Sequence, residues 1–190
     1  MIKKCFIDLE TTGTDHKLNG IIQIAGIIEI DGEEKERFNL FCQPFPADKI
    51  NPEALEANGI TMKDIESYPG HQAAFLDLKR ALCRYVKPFD KLDKYFFYGY
   101  NARFDNDFLR AFFAKHEDKY FGSWFWNPPI DIMSLAIEHL LLERSSMINF
   151  KLVTVLHEMG IEVDDSKLHD GLYDIELTRT LYQRLTCPQI

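Results

Sequence analysis

The sequence predicts an α/β protein with a mixed sheet flanked by helices, and three observations lead to that class. Two apolar runs, residues 6–13 and 21–30, have the composition of buried strands. Segments 72–86 and 104–116 carry apolar residues at helical spacing. Strands and helices then alternate along the chain, as they do when helices cover the faces of a sheet. We expect one domain over residues 1–190, long enough to bury a substantial core.

The elements of the first half follow in order. KKCFIDLE and IIQIAGIIEI are the first two strands, and the DG pair at 31–32 makes a hairpin turn into EKERFNLFCQP. NPEALEANG is a short helix with Pro52 in its first turn and Gly59 after its end. A helix follows over 72–86, and Pro88 ends it.

The second half continues the alternation. KYFFYGYN (94–101) is an aromatic strand that leads directly into the helix FDNDFLRAFFAKH. PPIDI is a brief strand before the helix MSLAIEHLLLE. NFKLVTVLHEMG is a helix with Asn149 as its N-cap, and LYDIELTRTLYQRL is the last helix.

Composition and charge limit the class of protein. A hydrophobic share of 46% with 15 Phe and 8 Tyr is typical of a packed globular chain. The net charge of −8 disfavours long nucleic-acid or anionic membrane surfaces, although bound cations would let an acidic substrate approach. The four cysteines lie far apart without zinc-finger spacing, which indicates reduced thiols. With no apolar window of membrane-spanning length and no signal-peptide core, we expect a cytoplasmic protein without a membrane partner.

Two carboxylates interrupt the first strand. Side chains alternate along a strand, so Asp8 and Glu10 project from the same face, about 7 Å apart. Their repulsion grows with burial, which makes a cation between them one explanation. A solvated strand face, or an edge strand that uses charge to block pairing, explains the same pattern.

Two further acidic positions stand at the beginnings of helices. Asp105, in GYNARFDNDFL, follows a strand, where α/β sheets place functional groups, but it also suits the helix dipole. HDGLYDIELT contains His169 and Asp174. If the last helix begins near Gly171, the carboxylate lies in its first turns and the imidazole on the preceding loop. That pair suits a metal ligand with a proton acceptor, and equally an ordinary loop histidine and helix-start aspartate.

Taken together, FIDLETTG, YNARFDNDFL and HDGLYD resemble the three successive motifs of the DEDDh (DnaQ-like) 3′–5′ exonucleases. The resemblance extends from Phe6 to about Leu185, and its pattern is closest to the proofreading exonuclease subunit of bacterial DNA polymerase III. It implies a ribonuclease-H-like fold, with a five-stranded mixed sheet and helices on both faces. It also implies a metal-dependent enzyme that removes nucleoside 5′-monophosphates from the 3′ end of single-stranded nucleic acid, with DNA preferred.

The resemblance assigns roles to the acidic residues and the histidine. Asp8, Glu10 and Asp174 would hold one divalent cation, and Asp105 together with Asp8 would hold a second. Hard oxygen ligands fit Mg²⁺ or Mn²⁺ better than zinc. Two such ions, roughly 3.5–4 Å apart, activate a water and stabilise the departing 3′ oxygen. His169 would be the general base, a role that suits the ordinary imidazole pKa of about 6.5.

Residues beside the motifs are implied to bind the terminal nucleotide. The implied contacts are the backbone amides of Thr11, Thr12 and Gly13, the side chain of Leu9 near the base, and Asn101 and Phe104 in the same pocket. Tyr100 stands where many relatives have His, and Gly171 where many have Ala. The aromatic residues of 120–129 suit base stacking or core packing, and core packing is the favoured interpretation.

Alternatives stay open for the substrate and the partners. A 3′–5′ exoribonuclease or a short-oligonucleotide hydrolase fits the same motifs, and a non-catalytic ribonuclease-H-like nucleic-acid-binding module would keep the shape without needing all five residues. The chain has no long basic stripe, so we expect a footprint of only a few nucleotides. The ending TCPQI carries no clear polymerase-docking or sliding-clamp motif, which leaves both a polymerase partner and a homodimer open.

Overall fold

The computed structural model describes residues 1–187, so residues 188–190, within the TCPQI ending considered above, lie outside the described part. The strands are β1 (Lys3–Thr11), β2 (Ile21–Ile30), β3 (Glu33–Phe41), β4 (Phe96–Gly99) and β5 (Ile130–Asp131). The helices are α1 (Pro52–Ala57), α2 (Met62–Ser67), α3 (His71–Cys83), α4 (Ala102–Lys115), α5 (Ile132–His139), α6 (Leu152–Glu158) and α7 (Gly171–Thr186). None of these described helices has both the length and the apolar composition that crossing a bilayer requires.

One five-stranded sheet, in the order β3-β2-β1-β4-β5, forms the centre of the protein. β1 pairs antiparallel with β2, and β2 antiparallel with β3, whereas β1–β4 and β4–β5 are parallel pairs. The β2–β3 turn is the predicted hairpin, with positive φ at both Asp31 (50°) and Gly32 (88°). The predicted five-stranded mixed sheet is therefore confirmed, and the carboxyl ends of β1, β4 and β5 meet at one edge.

Helices cover both faces of the sheet, and β1 sends alternate side chains to each. Cys5, Ile7 and Leu9 belong to the core under α3 and α4. Phe6 belongs to the second core, under α5, α6 and α7. Because the alternation continues, Asp8 and Glu10 lie on the same face as Phe6, toward α7. The predicted common orientation of the two carboxylates is confirmed.

The aromatic segment 120–129 is mostly part of the core. Phe121, Trp124 and Phe125 are each 3% exposed and pack in the core under α3 and α4. The other two rings are not buried: Tyr120 is 49% exposed, and the half-buried Trp126 packs beside Phe96. The interpretation of this segment as core is thus confirmed for three of its rings.

Two predicted helices, α3 and α5, and two predicted strands, β4 and β5, are shorter in the structure than in the sequence analysis. α3 ends at Cys83, whereas the prediction extended it to residue 86. β5 covers only Ile130–Asp131. β4 covers only Phe96–Gly99, since its parallel pairing with β1 spans three residues. α5 ends at His139, before the end of the predicted segment.

The start of α6 and the existence of α2 also differ from prediction. Asn149 is not the N-cap of α6, which begins at Leu152. Its side-chain oxygen instead accepts hydrogen bonds from the Lys151 N–H (2.9 Å) and the Thr154 hydroxyl (2.8 Å). α2 was not predicted, although Thr61 and its N3 partner form a capping box that the sequence could have revealed.

A histidine–aromatic cluster packs where α3 meets α4. The His116 ring stacks on Phe75 at a centroid distance of 4.1 Å, and the His71 ring lies 5.1 Å away. Burial, with a smaller contribution from the charge of His71, lowers the pKa of His116 to about 4. The folded protein therefore favours a neutral ring at position 116.

We expect the free energy of unfolding to fall as the pH falls from about 6.5 toward 4. Unfolding returns His116 to an ordinary pKa of about 6.5, so the unfolded chain binds more protons in this window. Urea unfolding of wild type and His116→Phe at pH 7 and pH 4.5 isolates this residue, because phenylalanine keeps the stacking and does not titrate. Wild type should lose more stability than the variant, and equal losses would contradict the assignment.

Candidate active site

Three carboxylates converge at the carboxyl end of β1. Oxygen atoms of Asp8, Glu10 and Asp174 all lie within 4.8 Å of one another. The first two project from the same face of β1, and the third comes from the first turn of α7. Within residues 1–187, no lysine or arginine forms an ion pair with any of the three. The cluster is therefore a site of concentrated negative charge.

The start of α7 brings its aspartate to β1. Asp170 caps the helix by accepting a hydrogen bond from the Leu172 N–H (2.9 Å). A Cβ built on Gly171 would lie 3.3 Å from Oδ2 of Asp8, so the glycine lets the helix approach this carboxylate closely. The predicted helix start is confirmed, with Asp174 in the first turn. His169 lies exposed on the preceding loop with φ of 68°.

The electrostatics of the cluster disfavour three negative charges. Burial, followed by the charge of Asp174, raises the pKa of Asp8 to about 7. Burial and then Asp8 raise the pKa of Glu10 to about 9. Burial also raises the pKa of Asp174, while His169 opposes that shift through its charge and a backbone hydrogen bond. A positive charge placed between the carboxylates would remove most of this cost.

The donor atoms of the cluster fit a divalent cation. Oδ1 of Asp174 is buried and has no hydrogen-bond partner among the described residues, which is costly unless another group binds it. All available donors are carboxylate oxygens, the ligand type that hard divalent cations prefer. Asp8, Glu10 and Asp174 would hold such a cation.

Asp105 reaches the carboxyl end of β1 from α4. It lies in the first turn of α4, is 3% exposed, and accepts a hydrogen bond from the Leu9 N–H (3.1 Å). Burial, followed by the charge of Asp8, raises the pKa of Asp105 well above its ordinary value, against the effect of the Leu9 hydrogen bond. The structure thus brings the fourth predicted carboxylate next to the other three.

Two of the groups predicted to contact a nucleotide already make contacts within the protein. The Leu9 side chain is 6% exposed and packs in the core, because it points to the face opposite Asp8. The Thr12 N–H donates to the Gly20 carbonyl (2.9 Å), so it is not available to a ligand in this conformation. The Gly13 N–H, by contrast, makes no hydrogen bond with the described residues. Contact of Leu9, Thr11, Thr12 and Gly13 with a nucleotide stays a prediction.

Asn101 and Phe104 line one cleft, as predicted. The cleft has a volume of about 290 Å³ and includes His16 and Arg103 in its lining. Asn101 has φ of 60° at the turn into α4, and the half-buried Phe104 ring packs 4.8 Å from Phe108. We call this cleft the 104 cleft.

Tyr100 connects the end of β4 to the segment before α6. Its hydroxyl donates a hydrogen bond to the Phe150 carbonyl (2.6 Å), and its ring packs against the core under α7. Tyr100, one of the two residues that depart from the pattern of the resembling family, thus joins β4 to the segment before α6.

Asp131 is a site-supporting residue that the sequence analysis missed. Its Oδ1 accepts hydrogen bonds from the N–H groups of Asn101 (2.9 Å), Ala102 (3.3 Å) and Met133 (3.2 Å). Its Oδ2 accepts one from the Ser134 hydroxyl (2.8 Å). Asp131 therefore caps α5 and also fixes the turn that presents α4. The capping signal is visible in the sequence, but the contact with the β4–α4 turn is not.

We expect Asp131→Ala to lower the free energy of unfolding by about 2–3 kcal/mol, because it removes a cap and leaves several N–H groups without their acceptor. Urea unfolding measures the loss. Asp77→Ala is the matched control, since Asp77 forms only an exposed ion pair with Arg80, and we expect it to change stability by less than about 0.5 kcal/mol. Equal effects of the two substitutions would show that the hydrogen bonds of Asp131 contribute nothing.

Relatives of known structure share the fold. E. coli Exonuclease I in complex with a dT13 oligonucleotide superposes with a TM-score of 0.75 at 21% identity, over 96% of this chain and 40% of that chain. The zinc-bound form of the E. coli Exonuclease I complex with single-stranded DNA gives a TM-score of 0.77 at 21% identity, over 100% of this chain and 41% of that chain. This chain thus spans about 40% of the length of Exonuclease I, and the likeness supports the ribonuclease-H-like fold.

The match with relatives found by sequence covers a larger share of the relative's length than the match with Exonuclease I does. Ribonuclease T of Shewanella sp. (strain W3-18-1) is 26% identical over 184 residues, which is 93% of this chain and 78% of the relative. Ribonuclease T of Shewanella baltica (strain OS155) is 26% identical over 188 residues, with the same coverage of 93% and 78%. The family model described as exonuclease, of the RNase T type, matches residues 5–182. The match includes all four carboxylates and His169, and the chain belongs to this exonuclease family.

Proposed function

We propose that the protein is a divalent-cation-dependent 3′–5′ exonuclease of the DEDDh type that acts on single-stranded nucleic acid and releases nucleoside 5′-monophosphates. The observation that carries the proposal is the convergence of Asp8, Glu10 and Asp174 within 4.8 Å, in a chain that belongs to an exonuclease family. Asp105 accepts a hydrogen bond from the Leu9 N–H of β1 and His169 lies on the loop before α7, and both belong to the set that the motifs predict.

Each residue of the set has a role in hydrolysis. Asp8, Glu10 and Asp174 would hold the cation, and Asp105 lies beside Asp8. A cation bound there would polarise a water molecule and compensate charge on the phosphate. His169 would accept a proton from the attacking water as the new P–O bond forms and the bond to the 3′ oxygen breaks, and the departing oxygen would take a proton from solvent. The exposed position of His169 on the loop before α7 leaves the ring free to reach a substrate phosphate.

The 104 cleft supports the preference for single strands. The half-buried ring of Phe104, which precedes Asp105 in α4 and lines the 104 cleft, suits stacking on an unpaired base, worth about 1–3 kcal/mol per base. Exonuclease I is described with single-stranded DNA, which agrees with this substrate class.

The sugar of the substrate strand and the identity of the cation are more specific proposals than the reaction itself. DNA was expected from the resemblance to the polymerase III proofreading type, and the name Ribonuclease T favours the alternative, an exoribonuclease. Mg²⁺ or Mn²⁺ is the cation that carboxylate oxygens favour, and the zinc-bound form of Exonuclease I makes zinc worth including as a third metal.

Digestion of 5′-labelled single-stranded DNA and RNA of equal sequence tests the proposal. Each strand is incubated with Mg²⁺, Mn²⁺, Zn²⁺ or a chelator, and the products are separated at single-nucleotide resolution. We expect a ladder that shortens from the 3′ end, is lost with the chelator, and ranks the two sugars by rate. No cleavage of either strand with any metal would overturn the exonuclease assignment. Shortening that starts inside the strand would overturn the direction.

A further inference from the structure

A second cavity lies beside the 104 cleft, and the two share Arg103 and Asp107 of α4 in their linings. The second cavity has a volume of about 400 Å³, and its wall includes Asn106 of α4 and Asn127, Pro128 and Pro129 of the loop before β5. The two cavities therefore flank the same turn of the helix that carries Asp105.

Asn106 is a buried polar side chain without a partner. It is 4% exposed, and its side-chain amide makes no hydrogen bond with any described residue. Asn106 nevertheless lines the second cavity, so the small part of its surface that stays accessible faces that space. The amide atoms of Asn106 keep some accessible surface, unlike the fully buried unpaired polar atoms of the described residues, so they can bind water or a ligand in the cavity. A polar group that opens into a cavity and has no partner within the protein is available to a ligand.

The chemistry of the wall selects the class of ligand. Carboxylates of Asp107 and Asp131 also line the cavity, and they disfavour an anion inside it. A carboxamide offers a donor and an acceptor side by side, which matches the edge of a nucleobase. The apolar rings of Pro128 and Pro129 can pack against a flat face. A neutral heterocycle satisfies all of these groups.

The rim of the cavity suits the phosphate that such a base would carry. The Arg103 side chain is 89% exposed and stands between the two cavities, in a weak ion pair with Asp107 (3.6 Å). A guanidinium at this position can bind a backbone phosphate while the base enters the cavity. A strand whose terminal nucleotide lies at the 104 cleft would pass over this rim.

We propose that the second cavity is a base-binding subsite, in which Asn106 binds the edge of a nucleobase of the substrate strand upstream of the scissile phosphate. The inference rests on the proposed exonuclease function, since the strand is delivered by the same active site. It assigns to Asn106 a role in substrate specificity, separate from the carboxylates.

Rates of shortening with base-modified strands test the subsite. Strands carry, at each of the four nucleotides nearest the 3′ end in turn, a natural base, an apolar base isostere or an abasic site. Wild type, Asn106→Leu and Asn106→Asp are compared, with Arg110→Ala as the control on the exposed face of α4 outside both cavities. We expect one position at which the apolar isostere lowers kcat/KM of wild type about tenfold.

The variants should remove that discrimination. Asn106→Leu should cut the natural strand and the isostere strand at the same reduced rate, and Asn106→Asp, which cannot donate, should change which base is preferred. Arg110→Ala should behave as wild type. Discrimination that survives in both Asn106 variants, or is absent from wild type at all four positions, would overturn the subsite. Thermal unfolding of each variant shows whether it is folded, and a folded Asn106→Asp suffices if Asn106→Leu is not.

Failure of the proposed function is distinguishable from failure of the subsite. If wild type cuts nothing, fluorescence anisotropy of the same strands measures binding alone. Binding that depends on both the base and Asn106 would support the subsite and overturn only the exonuclease. A protein that neither cuts nor binds the strands would overturn both.

Discussion

Asp8→Asn is expected to lower nuclease activity on the order of 10⁴-fold, the scale seen when one member of a cooperating catalytic set is lost. Asp8 is the carboxylate most central to the cluster, since it contacts the glutamate and α7 aspartate and also raises the pKa of Asp105. An amide oxygen keeps the shape but binds a divalent cation more weakly than a carboxylate does. The loss should appear in the rate with every metal that supports the wild type.

The same substitution is expected to stabilise the protein when no metal is present. Burial and the neighbouring carboxylates raise the pKa values of Asp8 and Glu10, so each additional negative charge is unfavourable. Removing one charge should increase the free energy of unfolding by about 1 kcal/mol, or the Tm by about 2–4 °C for a chain of this length. An inactive variant that is more stable than wild type separates a functional role from a structural one.

Thermal unfolding in chelator and in Mg²⁺ or Mn²⁺ measures this effect. Metal should raise the Tm of wild type and raise that of Asp8→Asn much less, because the variant has lost a ligand. Asp77→Asn, on the exposed surface of α3, serves as control and should match wild type in both activity and metal response. If Asp8→Asn lowered the Tm in chelator and responded fully to metal, the cluster would be structural and the assignment wrong.

The alternation of side chains along β1 was enough to predict part of the site. Asp8 and Glu10 face α7 because they are two residues apart in a strand, and that argument needs no relative. The same alternation places Leu9 in the opposite core, where the structure has it, and the implied contact of Leu9 with a base stays a prediction.

Contacts between segments that are distant in the chain could not be predicted from the sequence. The approach of α7 to β1 depends on Gly171 lying against Asp8, and nothing in the periodicity of either segment encodes that contact. Asp131 was visible as a helix cap but not as the acceptor that fixes the Asn101 turn. Asn106 has the pattern of an ordinary helix residue, and only the cavity beside it distinguishes it. Local rules thus predicted the helices and strands and the direction of their side chains. The contacts between these elements are visible only in the folded structure.

His169→Ala is expected to lower kcat by about 10²–10⁴-fold, the usual contribution of a general base. The wild-type kcat should rise with pH, because a general base must be unprotonated to accept a proton from water. His169→Ala should have a low kcat that no longer rises with pH. His157→Ala, an exposed histidine on α6, is the matched control and should keep both the rate and its pH dependence.

Metal binding and kcat of His169→Ala can be measured separately, which distinguishes a role of His169 as general base from a structural role. His169 opposes the raised pKa of Asp174 in part through a backbone hydrogen bond, and alanine retains that backbone group. Metal binding, measured as the rise in Tm with Mg²⁺ or Mn²⁺, should therefore be nearly unchanged in His169→Ala while kcat collapses. A variant that loses metal binding and activity together would show that the imidazole supports the cluster. A wild-type kcat that stays flat from about pH 5.5 to 8.5, with chemistry rate-limiting, would instead assign the proton to another acceptor.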